Sequence, residues 1–142
     1  MLSIKKILVP TDYSDAAESA LRYAIELAGK IGAEIELVHV WQLSTYASST
    51  SELAKGMERD LKSDLERLAQ RYSGHGVVIH RHLRMGPPYA EIIEAAKDLE
   101  SDLIVIGTTG RTGLEHFLLG SVAERVVRMA ACPVLTVRYK PR

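Results

Sequence analysis

The chain has 142 residues, 46% of them hydrophobic and 25% charged, a composition typical of a globular domain. Its 18 Lys and Arg balance its 18 Asp and Glu, so no net basic field attracts nucleic acid or an acidic membrane surface. A single cysteine, Cys132, excludes an internal disulfide framework, and no segment has the roughly 20 apolar residues that cross a bilayer, so we expect one cytoplasmic domain over 1–142.

The first predicted elements are a buried strand over 4–9 and a helix that begins at Ser14 or Asp15. Either side chain can cap the helix, and Asp15 with Glu18 resembles a capping box. Gly32 marks its end. Apolar residues at helical spacing predict its buried face, which consists of Ala17, Ala20, Leu21, Ala24, Leu27, Ala28 and Ile31.

Strands and helices continue to alternate through the middle of the chain. We predict a second strand over 34–40, a polar connection from 41, a helix over about 50–72 and a third strand over 77–83. The apolar stripe of that helix is Leu53, Met57, Leu61, Leu65, Leu68 and Tyr72. Pro88 then opens a third helix, whose buried side is Ile92, Ile93, Ala96 and Leu99.

The last third of the chain completes the alternation. Residues 102–107 form a continuous apolar run, which is typical of a strand covered on both faces. A glycine-rich stretch over 107–121, a helix over about 119–131 and a strand over 133–138 follow. The order predicts an α/β fold of Rossmann-like type, an open parallel sheet of five strands with helices on both faces. The apolar residues of the last helix are Val122, Val126, Val127 and Ala130.

Ligands of such folds bind beyond the carboxyl ends of the strands, where the strand order reverses. If strand 1 lies beside strand 4, the segment 10–12 meets the glycine-rich stretch there, with Val40 at the end of strand 2 beside them. Gly107, Gly110 and Gly113 leave backbone N–H groups approachable. The N–H groups at the start of the last helix favour an anion, and Arg111 offers a counter-charge.

The glycine-rich stretch differs from the common phosphate-binding loops. Gly113 is followed by Leu114, whereas a Walker loop requires Lys and then Ser or Thr. The Rossmann pattern requires closely spaced glycines after the first strand, whereas these follow the fourth. The glycines can also form a tight loop under helix packing, and Asp12 can be a turn residue.

The stretch resembles the ATP-binding universal stress proteins. Gly107, Gly110, Gly120 and Ser121 match the pattern G-x2-G-x9-G-[ST] of that family. The segment ILVPTDYS resembles the family's first strand and Asp-bearing loop, and GPPYAEIIEAA resembles its third helix. The last helix and strand, GSVAERVVRMAACPVLTVR, are also similar, so the resemblance covers nearly the whole chain.

The resemblance implies a five-stranded parallel sheet of the adenine nucleotide alpha hydrolase-like type. It also implies ATP, with Mg²⁺ or Mn²⁺, in the crevice between strands 1 and 4, and a homodimer joined through Val134–Arg138. Asp12 would bind ribose or base, Val40 would contact adenine through its backbone, and the glycines would hold ribose and phosphates. The residues carried over by position are Pro10, Thr11, Asp12, Val40, Gly107, Thr108, Thr109, Gly110, Arg111, Gly113, Gly120, Ser121 and Val122.

We therefore predict a dimeric, nucleotide-responsive regulator of the stress response with a protein partner that the sequence does not identify. In this hypothesis ATP orders the glycine loop and the segment 42–51, and so shifts the population of the surface that the partner contacts. One alternative is a slow ATPase that uses Asp12 for a metal and Arg111 for charge, although no residue stands out as a base. The other is a nucleotide-free dimeric interaction module.

The histidines and Cys132 have simpler interpretations. His80 and His82 lie on one face of a strand, but two ligands do not complete a metal site, so we predict a solvated or partly covered strand face. We expect His39 and His116 to be structural or surface residues. Cys132 is expected to be a small buried apolar residue.

Overall fold

The computed structural model describes residues 2–43, 51–108 and 119–139. Each predicted strand and helix is present, with bounds that differ from the predicted ones by one or two residues. A 3-10 turn, Ser73–His75, follows the second helix. The elements are β1 Lys6–Pro10, α1 Asp15–Ile31, β2 Glu34–Trp41, α2 Glu52–Arg71, β3 Ile79–Met85, α3 Pro88–Asp98, β4 Leu103–Gly107, α4 Ser121–Met129 and β5 Val134–Val137.

The five strands form one parallel sheet in the order β3-β2-β1-β4-β5. Ile7 of β1 lies opposite Ile35 of β2 on one side and Leu103 of β4 on the other. The predicted adjacency of strands 1 and 4 is therefore confirmed. From β1 the chain adds β2 and β3 on one side and then β4 and β5 on the other. The strand order therefore reverses between β1 and β4.

Two apolar layers enclose the sheet. Ile7 and Val9 face α1 and α2, whereas Leu8 between them faces α3 and α4, because successive side chains of a strand point to opposite faces. All five residues of β4 are buried, as its uninterrupted apolar sequence predicts. In the described part of the chain, no helix combines the length and the hydropathy needed to cross a bilayer.

The start of α1 differs from the predicted capping box. Ser14 is the N-cap, and its Oγ accepts the N–H of Ala17 at 3.2 Å. This places Ala17, and not Glu18, at the third helical position, where the acidic partner of a capping box belongs. The carboxylate of Glu18 instead accepts hydrogen bonds from Arg71 and Tyr72 of the α2 region. Glu18 thus joins two helices and does not close a cap.

Three predicted apolar stripes extend beyond the core. Leu53 and Met57 of α2 are exposed, as are Ile31 at the end of α1 and Val127 of α4. The second half of the α2 stripe is buried, with Leu65 and Leu68 against the sheet. Helical periodicity identifies the face that points toward the sheet, but the sheet covers only the turns that lie above it.

Candidate functional site

A cavity of about 300 Å³ opens at the carboxyl edge of the sheet, between the ends of β1 and β4. Four of the predicted site residues, Thr109, Gly110, Arg111 and Gly113, lie outside the described residues, as does part of the segment 42–51. All the others line the cavity, namely Pro10, Thr11, Asp12, Val40, Gly107, Thr108, Gly120, Ser121 and Val122. The structure thus brings together residues from four separate segments of the chain.

The loop between β1 and α1 is held by its own side chains. Thr11 Oγ1 accepts the N–H of Tyr13, and Asp12 Oδ1 accepts the N–H of Ser14, both at 3.0 Å. Tyr13 has a φ of 65°, in the left-handed region that side chains other than glycine rarely adopt. This conformation costs roughly 1–2 kcal/mol, so it persists because neighbouring contacts hold it.

Those contacts come from β2 and α2. The Tyr13 ring lies 4.6 Å from the His39 ring, and its hydroxyl donates to the Leu61 carbonyl at 3.4 Å. His39 Nδ1 lies 2.7 Å from the carbonyl oxygen of Thr11, which can only accept, so Nδ1 carries a proton and donates it. Burial, with a smaller contribution from Asp64, raises the pKa of Tyr13 to about 12. His39 is thus structural, as predicted, and it supports the loop that borders the cavity.

The end of β2 presents backbone groups toward the cavity. β1 ends with Pro10 opposite Val38, whereas β2 continues to Trp41. The Val38 carbonyl accepts the N–H of Thr11, so the backbone groups of Val40, two residues later, also point to the β1 side. Beyond Pro10 no strand pairs with them in the described residues. One donor and one acceptor are therefore available at the cavity wall.

Gly107 allows β4 to end directly against α1. A Cβ atom at this position would lie 2.9 Å from the carbonyl oxygen of Ala16 in the first turn of α1. Such a contact forces backbone to move, so glycine is required by close approach and not by its torsion angles. The next residue, Thr108, is buried and donates its N–H to the Val137 carbonyl at 3.0 Å.

The first turn of α4 is the part of the cavity that suits an anion. Its N-cap, Gly120, supplies no side-chain hydrogen bond, whereas serines cap α1 and α2. In the described part of the chain, the N–H groups of Ser121, Val122 and Ala123 donate to no acceptor. Free N–H groups and the positive end of the helix dipole favour a negatively charged group here.

The remaining wall is apolar and was not predicted. It is formed by Ala17, Pro88, Ile92, Ile106 and Ala123. Ala17, Ile92, Ile106 and Ala123 look in the sequence like ordinary core residues of helices and a strand. The one signal in the sequence for this wall is Pro88, which marks the start of α3 at the same edge of the sheet. The polar and apolar walls together suit a ligand with a flat hydrophobic part and a charged part.

Asp12 is the only carboxylate among the described residues that line the cavity. No group of three or more potential metal ligands occurs in the ranges that the structure describes. A single carboxylate beside the hydroxyls of Thr11, Thr108 and Ser121 fits a Mg²⁺ ion held mainly by phosphates and water, and does not fit a closed protein metal site.

His80 and His82 each form a hydrogen bond with a glutamate. His80 Nε2 lies 3.4 Å from Glu34 Oε2, and His82 Nε2 makes a shorter contact with Glu36 Oε2. Both glutamates belong to β2, on the same face of the sheet. The predicted partly covered strand face is what the structure shows, with hydrogen-bonding glutamates on the neighbouring strand. Cys132 is partly buried, and burial raises the pKa of its thiol.

Comparison with known proteins shows that nearly the whole chain is similar to members of one family. The sequence profile of the Universal stress protein family matches residues 3–138. Universal stress protein MJ0531 of Methanocaldococcus jannaschii is 41% identical, over 97% of this chain and 84% of that protein.

Two solved structures show the same architecture. Universal stress protein UspA from Lactobacillus plantarum has a TM-score of 0.83 at 29% identity, covering 97% of this chain and 100% of that one. The universal stress protein from Archaeoglobus fulgidus in complex with dAMP has a TM-score of 0.69 at 25% identity, covering 96% and 98% of the two chains.

Proposed function

This chain belongs to the universal stress protein family, and from that premise we propose that it binds an adenine nucleotide, ATP, in the cavity between β1 and β4. The observation that carries the proposal is the convergence of Asp12, Val40, Gly107 and Ser121 on one cavity of about 300 Å³. That volume is at the lower end of small-molecule sites. The dAMP complex of the Archaeoglobus relative supports the choice of an adenine nucleotide.

The walls suggest how the ligand lies. The N–H and C=O of Val40 suit the donor and acceptor edge of adenine, and the apolar side chain of Ile92 suits a face of the base. The carboxylate of Asp12 can accept from a ribose hydroxyl. The first turn of α4 and Gly107 would then receive ribose and phosphates, with Mg²⁺ or Mn²⁺ carried on the phosphates.

We further infer that the protein acts as a dimer. β5 is an outermost strand, and none of its four residues is fully buried. Pairing of this edge with a second copy, through Val134–Arg138, would satisfy the backbone groups that it leaves open. A nucleotide-responsive dimer suits a regulator of the stress response in the cytoplasm, acting on a protein partner of undefined identity.

We propose that the cavity holds ATP and does not hydrolyse it rapidly. Hydrolysis needs a group that orients or deprotonates water and positive charge on the transferred phosphoryl group. Asp12 is the only ionisable side chain among the described lining residues, and Arg111, predicted to supply charge, lies outside them. Slow ATP turnover that is lost in Asp12→Ala while ATP binding remains would make the enzyme the better description.

The decisive experiment places a charge in the anion site without disturbing the fold. Ser121 is exposed at the first position of α4, where a carboxylate stabilises a helix. Ser121→Glu should therefore fold normally and lose ATP affinity at least tenfold through repulsion. Ser121→Gln, of equal size and without charge, is the matched control and should retain most of the affinity. Calorimetric titration measures both.

Equal ATP affinities for Ser121→Glu and Ser121→Gln would contradict the site. Mass spectrometry of small molecules released from the purified protein provides an independent check. ATP carried through purification would support the nucleotide-binding class. A wild-type protein that binds no adenine nucleotide would leave the dimeric interaction module as the function.

A further inference from the structure

The described cavity wall lacks a cation for the ligand that the proposed function gives it. Its one ionisable side chain, Asp12, is acidic, and a nucleoside triphosphate brings several negative charges. Apposed like charges are unfavourable unless a positive group lies close by. The first turn of α4 supplies only partial charge. A full positive charge close to the phosphates would strengthen binding, and Arg111, predicted for that role, lies outside the described residues.

Among the described residues, Arg125 does not itself line the cavity, but it lies one helical turn from Ser121, which does. It lies four residues after Ser121, so both occupy the same face of α4, about one helical turn apart. Side chains of a helix lean toward its N-terminus, which here is the cavity end. Its Cζ atom lies 4.6 Å from the centre of the Tyr89 ring. Tyr89 directly follows Pro88, which lines the cavity.

The guanidinium of Arg125 is held without being neutralised. The neighbouring carboxylate, Glu124, pairs with Arg128, and Arg84 on β3 pairs with Glu91 and Asp98. No carboxylate pairs with Arg125 in the part of the chain that the structure describes. A guanidinium over an aromatic ring keeps its in-plane N–H groups available for a phosphate.

We propose that Arg125, held on the ring of Tyr89, contacts the terminal phosphate of the bound nucleotide and makes the site prefer a triphosphate to a monophosphate. This inference rests on the proposed binding of adenine nucleotides. It assigns Arg125 to binding and Tyr89 to positioning, and neither residue belongs to the glycine pattern.

The test compares a charge-removing variant with a matched control on the same helix. Arg125→Gln should weaken ATP binding roughly tenfold and leave AMP binding unchanged, since a charge-assisted hydrogen bond to the terminal phosphate is lost. Arg128→Gln removes an exposed arginine that lies nearly one helical turn further along α4. It should change neither the ATP affinity nor the AMP affinity. Calorimetric titrations with ATP, ADP and AMP, at fixed salt and Mg²⁺, give the ratios.

The Tyr89 variants test the positioning role. Tyr89→Phe keeps an aromatic face and should keep the ATP preference, whereas Tyr89→Leu should lower the ratio of ATP to AMP affinity in the same direction as Arg125→Gln. If Tyr89 only packed between helices, Tyr89→Leu and Tyr89→Phe would not differ in the ratio of ATP to AMP affinity while AMP binding stays intact.

Three outcomes would overturn the inference. If Arg125→Gln weakens ATP and AMP equally, Arg125 only braces α3 against α4. If neither affinity changes, Arg125 is an ordinary surface residue. A wild-type protein that binds neither ATP nor AMP would overturn the proposed function itself. This result is distinct from the first two because it is measured on the wild type alone.

Discussion

The carboxylate of Glu36 shows how one residue's role depends on its partner. Glu36 is 5% exposed on β2, and His82 of β3 is its hydrogen-bond partner. Two residues earlier, Glu34 and His80 make the same kind of pair, but their side chains are 46% and 45% exposed. The same sequence pattern therefore produces one pair with a buried carboxylate and a partly exposed histidine, and one solvated pair, and only the first should matter for stability.

His82→Ala should lower the free energy of unfolding by about 1–3 kcal/mol, because it leaves the buried Glu36 carboxylate without its partner. The matched control is His80→Ala, whose exposed pair is worth about 0–1 kcal/mol. Urea denaturation of both variants at neutral pH measures the difference. Equal losses would show that strand propensity, and not the buried pair, accounts for the effect.

At the scale of elements, the loop after β1 is the part of the site with the most tertiary support. Tyr13 joins it to α2 through the Leu61 carbonyl and to β2 through the His39 ring. β2, which contributes Val40 to the cavity wall, ends at Trp41, and α2 begins at Glu52. Loop, β2 and α2 are thus one connected unit, and a change in the loop acts on the helix through Tyr13.

The pKa of Tyr13 predicts how this unit responds to alkali. A phenol whose pKa is raised from 10.0 to about 12 on folding stabilises the fold while it is protonated. The contribution is complete below pH 10.0 and is lost as the pH rises through about 12. Between those values the urea midpoint of the wild type should fall more steeply than that of Tyr13→Phe, which has no phenol to titrate.

Parallel curves for the two proteins would contradict the prediction. Tyr72, whose pKa burial also raises, is present in both proteins and therefore cancels in the comparison. Absorbance of the phenolate ion over the same pH range provides an independent readout of Tyr13, as the difference between wild type and variant.

At the scale of the whole molecule, the two open edges of the sheet differ in chemistry. β3 carries Arg81 and Arg84, and charged side chains discourage edge-to-edge pairing. β5 has the sequence VLTV, in which three residues are apolar and three are β-branched, and such residues favour pairing. The asymmetry supports the proposal that dimers form through β5 and not through β3.

Thr136→Pro should convert the proposed dimer into a monomer. The carbonyls of Pro133 and Val137 accept from β4, so the backbone groups of Val134 and Thr136 point to the open edge. Proline at 136 removes an edge-facing N–H and leaves the pairing with β4 intact. Light scattering after gel filtration measures the mass, and Thr136→Val, which keeps the donor, should remain dimeric.

A monomeric wild type at high concentration would contradict the dimer itself. A dimeric Thr136→Pro protein would place the interface elsewhere on the surface. Circular dichroism of the variant establishes that it is folded, so that a change in mass reports association and not unfolding.

Local patterns were enough for the elements and for much of the candidate site. Alternating strand and helix signals predicted the parallel sheet, and the apolar run over 102–107 predicted a strand covered on both faces, which is β4. Asp12, Val40 and Ser121 were predicted to share a site because parallel strands end at one edge, and they do line one cavity. The glycine pattern itself falls partly outside the described residues, at Gly110 and Gly113.

The sequence by itself determined the order of elements, the face that each helix turns to the sheet, and the sheet edge at which the candidate site lies, because these follow from periodicity and chain direction. Only the tertiary structure decided which turns are covered, so Leu65 is buried and Leu53 exposed on one stripe. It also decided the contacts of Gly107 with Ala16 and of Arg125 with Tyr89. Such contacts join residues far apart in the chain, and they depend on how whole elements pack, which no local pattern records.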